Sequence, residues 1–140
     1  ILSLDIITTD NERYFHIGYI GFATLRAYFV LCYNPSLYYS YQELMKYHVR
    51  CWYDELECPI DVDKLDKRLG DLRILIWHSD CDGELTSEEC KKLLPYLKID
   101  EDLISSTLGE YNYRTVKQMH EFKALIKYCA SHDDVKLLFG

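Results

Sequence analysis

The sequence predicts a single α+β domain over residues 1–140, with helices packed against a small sheet formed by terminal and central strands. Three observations support this fold class. Residues 2–8 begin with alternating apolar and polar side chains and are rich in β-branched residues, as strands are. Residues 17–33 and 115–131 carry apolar groups at helical spacing. A last apolar run at 135–139 predicts a strand that lies beside the first one.

Shorter elements fill the middle of the chain. Residues 72–77 fit either a buried strand or the end of a helix, because a short apolar run has no diagnostic period. Thr86 and Glu89 form a capping-box pattern at the start of a helix, in which each side chain accepts a bond from the other's backbone N–H. We expect helices at 40–53, 61–69, 87–97 and 101–109.

Composition limits the class of protein. With 140 residues, 49% of them hydrophobic, the chain can bury a core and is not expected to be disordered. We find no apolar run of the roughly 18–20 residues that a bilayer requires, and no leader pattern at the start. We therefore expect a cytoplasmic location and no membrane partner. The six cysteines are scattered and predict free, mostly buried thiols.

Negative charge is concentrated in one segment. The formal net charge is −7, and residues 54–89 alone hold 12 acids and 4 bases, a net of −8. Such a field repels nucleic-acid phosphates and favours a cation or a protein partner with a basic surface. We expect Asp61, Asp63 and Asp66 to contact that partner. The alternative is a solvated face that only aids solubility.

Tyrosine is the second unusual feature, with 13 in the chain. Tyr38, Tyr39 and Tyr41 are expected at the surface, where tyrosine gives large contact area and often marks a binding site. They are the aromatic part of the predicted partner-binding surface. The alternative is that these rings cover a small core.

The most informative motif is the acidic loop, residues 78–84, with the sequence HSDCDGE. The twelve residues 78–89, with His78 as position 1, follow the spacing of an EF-hand calcium loop. Asp80 and Asp82 stand at positions 3 and 5, Gly83 at position 6 and Glu89 at position 12. Alternate side chains of such a loop converge on one point, and the glycine lets a carboxylate from the next helix join them.

Position 1 departs from that pattern, because it is His78 where an EF-hand has Asp. Imidazole suits zinc and other transition metals better than calcium. We therefore predict a divalent metal, with zinc ahead of calcium. Whether the thiolates of Cys81 and Cys90 take part stays open. The alternative is that Asp80 and Asp82 form an Asx turn and cap the next helix without an ion. The predicted metal ligands are His16, His78, Asp80, Asp82 and Glu89.

Three segments together resemble an uncharacterised family of short bacterial and phage proteins. They are residues 3–6 with 16–26, the acidic loop with Glu89-Cys90, and residues 122–139. The resemblance implies a bacterial host cytoplasm and a phage or mobile-element origin, but no activity. It favours one shared cluster, made of Asp5, His16, His78, Asp80 and Asp82.

No catalytic set is recognisable, since the sequence holds no glycine-rich phosphate loop, nucleophile elbow or His-Glu-x-x-His motif. The leading hypothesis is a non-enzymatic inhibitor of a host defence nuclease, such as a CRISPR nuclease, whose basic channel the acidic face occupies. One alternative is a metal-dependent hydrolase that uses His78, Asp80 and Asp82. Another is an EF-hand-like calcium-binding protein.

Overall fold

A computed structural model describes residues 3–54, 59–110 and 112–140, and for 47–54 the backbone alone. The strands confirm the predicted α+β class. They form one antiparallel sheet in the order β2-β1-β4-β3, so the last strand pairs with the first, as expected. The strands are β1 (Ser3–Thr8), β2 (Tyr14–Gly18), β3 (Glu84–Leu85) and β4 (Leu137–Phe139).

The predicted helices are confirmed with shifted ends. Proline is well accepted in a first helical turn, and the second helix accordingly begins at Pro35 rather than near residue 40. Single 3₁₀ turns span Gly70–Leu72 and Leu94–Tyr96. The α-helices are α1 (Tyr19–Tyr33), α2 (Pro35–Asp54), α3 (Val62–Leu69), α4 (Arg73–Ile76), α5 (Ser87–Leu93), α6 (Glu101–Leu108) and α7 (Tyr113–Ala130).

Two segments differ from expectation. Within residues 72–77, Arg73–Ile76 form a helix that continues the 3₁₀ turn ending at Leu72, and Leu72, Leu75 and Ile76 are all buried. The strand alternative for this segment is wrong. His16 belongs to β2 rather than to the start of a helix, and burial alternates along that strand from exposed Tyr14 onward.

The core lies on one face of the sheet, beneath α1 and α7. Phe122 of α7 is its centre, with the rings of Phe15, Phe22 and Phe29 at 5.9–6.3 Å between centroids. On the opposite face of the sheet the side chains are exposed or half-buried, and Tyr14 is 63% exposed. None of the described helices combines the length and apolar character needed to cross a bilayer.

Candidate functional site

The acidic loop lies between two helices, in the order of an EF-hand. α4 ends at Ile76 just before it, β3 follows at positions 7 and 8, and α5 begins at position 10. Gly83 has a φ of +92°, in the region that favours glycine. A Cβ at this position would lie 3.4 Å from Cε1 of His78, so the glycine also makes room for the imidazole.

The imidazole of His78 closes this loop. Its Nδ1 lies 2.8 Å from the carbonyl oxygen of Ser79, and its Nε2 lies 3.0 Å from that of Glu84. Glu84 is at position 7, whose carbonyl is a calcium ligand in EF-hands. The ring also packs against Phe139, with 4.0 Å between centroids. The Nε2 atom of His78 therefore lies at the Glu84 carbonyl, the group that a calcium ion contacts at position 7 of an EF-hand.

Ser79 sets the turn itself. Its hydroxyl oxygen accepts bonds from the backbone N–H groups of Cys81 (3.2 Å) and Asp82 (3.3 Å). The interpretation in which Asp80 and Asp82 make the turn and cap the next helix is therefore wrong. Their carboxylates accept no hydrogen bond within the described residues, and they remain available to a ligand or partner.

Arg26 of α1 supports the loop from inside. Its guanidinium donates to the carbonyl oxygens of Ile76 (3.3 Å) and His78 (2.8 Å), and it lies 4.1 Å from the ring centre of Phe22. Burial lowers the pKa of Arg26, while the nearby Tyr41 and Asp80 act in the opposite direction. The only sequence signal for this role was a charge that interrupts the apolar run at 17–33.

Glu89 serves the helix rather than the loop. Its carboxylate accepts from the N–H of Thr86 at 3.0 Å, and the Thr86 hydroxyl accepts from the N–H of Glu89 at 3.2 Å. The predicted capping box is confirmed. Of the two cysteines left open as ligands, Cys81 is exposed and Cys90 is buried, and burial raises the pKa of the Cys90 thiol.

His16 lies far from the acidic loop. Its Nδ1 is 2.6 Å from Asp5, which also accepts a 2.6 Å bond from the Tyr14 hydroxyl. These bonds, that of Tyr14 first, lower the pKa of Asp5. β1 and β4 separate β2 from β3, which places His16 about 14 Å from the loop strand. The expected cluster is thus only partly assembled: Asp5 meets His16, but His16 does not meet His78.

Among the residues that the structure describes, no three His, Cys, Asp or Glu side chains converge as metal ligands would. The His78 nitrogens and the Glu89 carboxylate already have other partners. Asp80 and Asp82 are the predicted ligands that a cation could reach without breaking such a bond. Metal binding at the loop stays a prediction.

The acidic residues predicted on α3 are largely occupied. Asp61 caps this helix by accepting from the N–H of Lys64 at 3.1 Å. Asp66 accepts from the indole N–H of Trp77 at 2.7 Å and lies 3.5 Å from Arg73. Asp63 is exposed. Residues 61–73 hold four acids and four bases, so this segment carries no net charge.

The predicted tyrosine surface is wrong for two of its three residues. Tyr38 and Tyr41 are only 7% and 2% exposed, because they share the inner face of α2 with Leu37 and Leu44. Burial raises the pKa of the Tyr41 hydroxyl. Tyr39 is 68% exposed and stays a candidate contact. The alternative, rings that cover a core, is right for Tyr38 and Tyr41.

No protein-family model, curated protein or solved structure matches this chain. The resemblance to short bacterial and phage proteins therefore stays a prediction. Any functional proposal depends on the chemistry and geometry of the described residues.

The folded chain adds two acids to the loop that sequence proximity could not reveal. Lys91 of α5 contacts both Glu88 (3.0 Å) and Asp133 (2.7 Å), which brings the turn at 131–134 beside the loop. We call the resulting set the acidic loop surface. Three lysines, at 91, 92 and 136, leave it with a net charge of −4. Its members are Asp80, Asp82, Glu84, Glu88, Glu89, Asp133 and Asp134.

Proposed function

We propose that this chain is a non-enzymatic interaction protein whose acidic loop surface binds a basic surface of a partner protein. The proposed partner is a bacterial nucleic-acid-targeting defence nuclease, such as a CRISPR nuclease, inhibited when the acidic surface occupies its nucleic-acid channel. The observation that carries the proposal is that the carboxylates of half-buried Asp80 and exposed Asp82 accept no hydrogen bond among the described residues, although the loop that holds them is fixed.

Rigidity supports this proposal. His78, Ser79 and Arg26 hold the loop through backbone atoms, and none of them uses the Asp80 or Asp82 carboxylates. A loop already held in one conformation loses little entropy when a partner binds. The carboxylates can therefore bind cationic groups of a partner with little loss of conformational entropy, in the positions that nucleic-acid phosphates would take.

An aromatic side chain borders the same surface. Trp77 directly precedes the loop and is 40% exposed. Its bond to Asp66 fixes the indole and leaves part of the ring open. Tryptophan is enriched among the residues that contribute most to protein–protein affinity. Trp77 therefore replaces the buried Tyr38 and Tyr41 as the proposed aromatic anchor, with Asp63 and Tyr39 as outlying contacts.

The test is a DNA-cleavage assay with a panel of purified bacterial RNA-guided nucleases. The protein is expected to inhibit at least one of them, less so at high salt or with excess target DNA. The triple variant Asp80→Asn, Asp82→Asn, Glu84→Gln should raise the half-inhibitory concentration at least tenfold.

A matched control neutralises three exposed acids elsewhere, Glu43→Gln, Asp102→Asn and Glu110→Gln. It makes the same change in net charge and should inhibit as the unchanged protein does. Equal loss in both triple variants would show that only overall charge matters. Cleavage unaffected across the panel would refute the inhibitor.

A second candidate function is cation binding by the loop, favoured by its EF-hand order of helix, loop, strand and helix. Elemental analysis after purification without added metal should then find zinc, and titration with zinc should give a tighter complex than titration with calcium. His78→Ala should weaken zinc binding. Metal below one-tenth of an equivalent, with no heat of binding for either ion, would contradict this candidate and its hydrolase variant.

A further inference from the structure

The second feature that could bind a partner is the outer edge of β2, where no further strand pairs among residues 3–54, 59–110 and 112–140. Asp5 of β1 exchanges both backbone hydrogen bonds with Gly140, at 3.4 and 2.9 Å. In an antiparallel ladder a residue directs its N–H and C=O to one side, so Asp5 cannot also bond to its other neighbour, His16. The backbone groups of His16, and by the same alternation those of Tyr14, therefore face outward.

A groove runs beside this edge. Its volume is about 540 Å³, and it lies between the strand and one side of α7. Phe15 packs on Phe122 and Arg13 lies 4.8 Å from the ring centre of Tyr128, so α7 runs antiparallel to β2. The lining residues are Arg13, Tyr14, Phe15, His16, Glu121, Ala124 and Leu125.

The usual protections of an edge strand are missing from β2. Such edges are commonly blocked by lysine, by proline or by extreme shortness. The strand Tyr14–Gly18 has the sequence YFHIG, with neither residue type. The opposite edge, β3, has only two residues. A five-residue open edge beside a groove is the arrangement used for strand addition, in which an extended peptide joins a sheet.

We propose that this groove binds an extended peptide segment of another protein, added antiparallel to β2. A second copy of this chain fits less well. Its own β2 would bring Phe15 and Ile17 to the inner side, but these side chains are 4% and 1% exposed in their own core. They cannot also fill the partner's groove. A peptide brings free side chains, and every second one would point toward α7.

Charge along the groove specifies the peptide. Arg13 lies at the start of β2, and Glu121 lies toward its end, one turn of α7 from the small side chain of Ala124. An antiparallel peptide runs from the Glu121 end to the Arg13 end. It should carry a basic residue, then an apolar one, then an acidic one, at alternate positions. The two charged residues would be about 13 Å apart. Arg13 lies over Tyr128, which is about 10 Å along α7 from Glu121.

The probe is a fluorescein-labelled heptapeptide with blocked ends, in which threonine alternates with lysine, valine and glutamate in that order. Fluorescence anisotropy should show saturable binding to the full chain. The control peptide exchanges lysine and glutamate and keeps the same composition. We expect it to bind at least fivefold more weakly. Equal affinity for the two peptides would overturn the charge assignment and with it the proposed site.

Two matched variants test the backbone contribution. His16→Pro removes an N–H that faces away from the sheet, whereas His16→Ala loses the same Asp5 contact and keeps that N–H. We expect about a tenfold weaker complex for His16→Pro than for His16→Ala, as for one hydrogen bond lost. Circular dichroism checks that both fold. Equal peptide affinity in the two folded variants would refute strand addition.

A second pair of variants changes α7 and leaves β2 unaltered. Ala124→Trp fills the groove from an exposed position of α7, and Lys127→Trp adds the same ring at an exposed position outside the lining. Only Ala124→Trp should abolish peptide binding. Analytical ultracentrifugation tests whether a second copy of the chain occupies the groove instead. A dimer of the full chain that Ala124→Trp converts to monomer would overturn the proposed peptide binding in favour of self-association. Nuclease inhibition, by contrast, should persist in Ala124→Trp.

Discussion

The two edges of the sheet expose different groups, and the two proposed binding sites differ accordingly. At β3 the strand is two residues long, and the proposed partner contacts are carboxylate side chains on a loop that His78 closes. At β2 the strand is five residues long, and the proposed peptide contacts are the outward backbone groups of Tyr14 and His16. The comparison shows how one small sheet can keep a charged surface and an open backbone edge apart, with two strands between them.

The largest expected effect is loss of the support beneath the β2 edge. Phe122→Ala removes the ring that contacts Phe15, Phe22 and Phe29, and should lower the free energy of unfolding by about 3–5 kcal/mol. Guanidinium titration measures this loss. Lys117→Ala, at an exposed position of the same helix, should leave the midpoint nearly unchanged. A loss under about 1 kcal/mol for Phe122→Ala would mean that the edge has another support.

The next largest loss of stability is expected at the acidic loop. Arg26→Met keeps much of the side-chain volume but leaves the carbonyls of Ile76 and His78 without their donor, which should cost about 2 kcal/mol. The loop should also become sensitive to a glutamate-specific protease at Glu84. Limited proteolysis at 25 °C, compared with Arg26→Lys, measures this change. Unaltered cleavage in both variants would show that Arg26 does not hold the loop.

A smaller effect separates helix capping from metal binding. Thr86→Ala should cost about 1 kcal/mol of stability, whereas Glu89→Gln should be nearly silent because glutamine also completes a capping box. If Glu89 instead binds zinc, Glu89→Gln should weaken zinc binding clearly. Thermal unfolding and zinc titration of the same two proteins give both answers. A strong loss of stability in Glu89→Gln would contradict the capping role.

The smallest effect concerns acid sensitivity on the β2 side. Bonding with Thr8 and Tyr128 lowers the pKa of Asp10 from 3.8 to about 2. A carboxyl whose folded pKa is depressed stabilises the fold above its unfolded pKa, and this contribution disappears as the pH falls from near 4 to about 2. Asp10→Asn should flatten the stability profile in this window. Urea midpoints at several pH values test it, and an unchanged slope would argue against the assigned bonds.

The sequence predicted the elements whose periodicity is strong. The strand at 2–8, the helix at 115–131 and the capping box at Thr86 needed only local patterns, and each is confirmed. β2 was missed because Phe15 and Ile17 alternate for only five residues and run directly into the apolar helix α1. β3 could not be predicted, since two residues become a strand only where β4 offers a partner.

For the site, spacing was informative and chemistry was not. The EF-hand order of the loop followed from the position of Gly83, but nothing local indicated that the His78 ring would bond to two carbonyls. Asp133 joins the acidic loop surface through Lys91, 42 positions earlier, a contact that only folding creates. The balanced charge of residues 61–73, by contrast, was available from a count along the sequence.

The central position of β4 also determines when the two edges can become one sheet. β1 and β2 are joined by a short turn, so their hairpin can assemble early. Ile6 of β1 and Phe139 of β4 are paired although about 130 positions separate them along the chain. Closing so long a loop is slow. During synthesis the β1–β2 hairpin therefore lacks its third strand, and β3 joins the sheet only after residues 137–139 have left the ribosome.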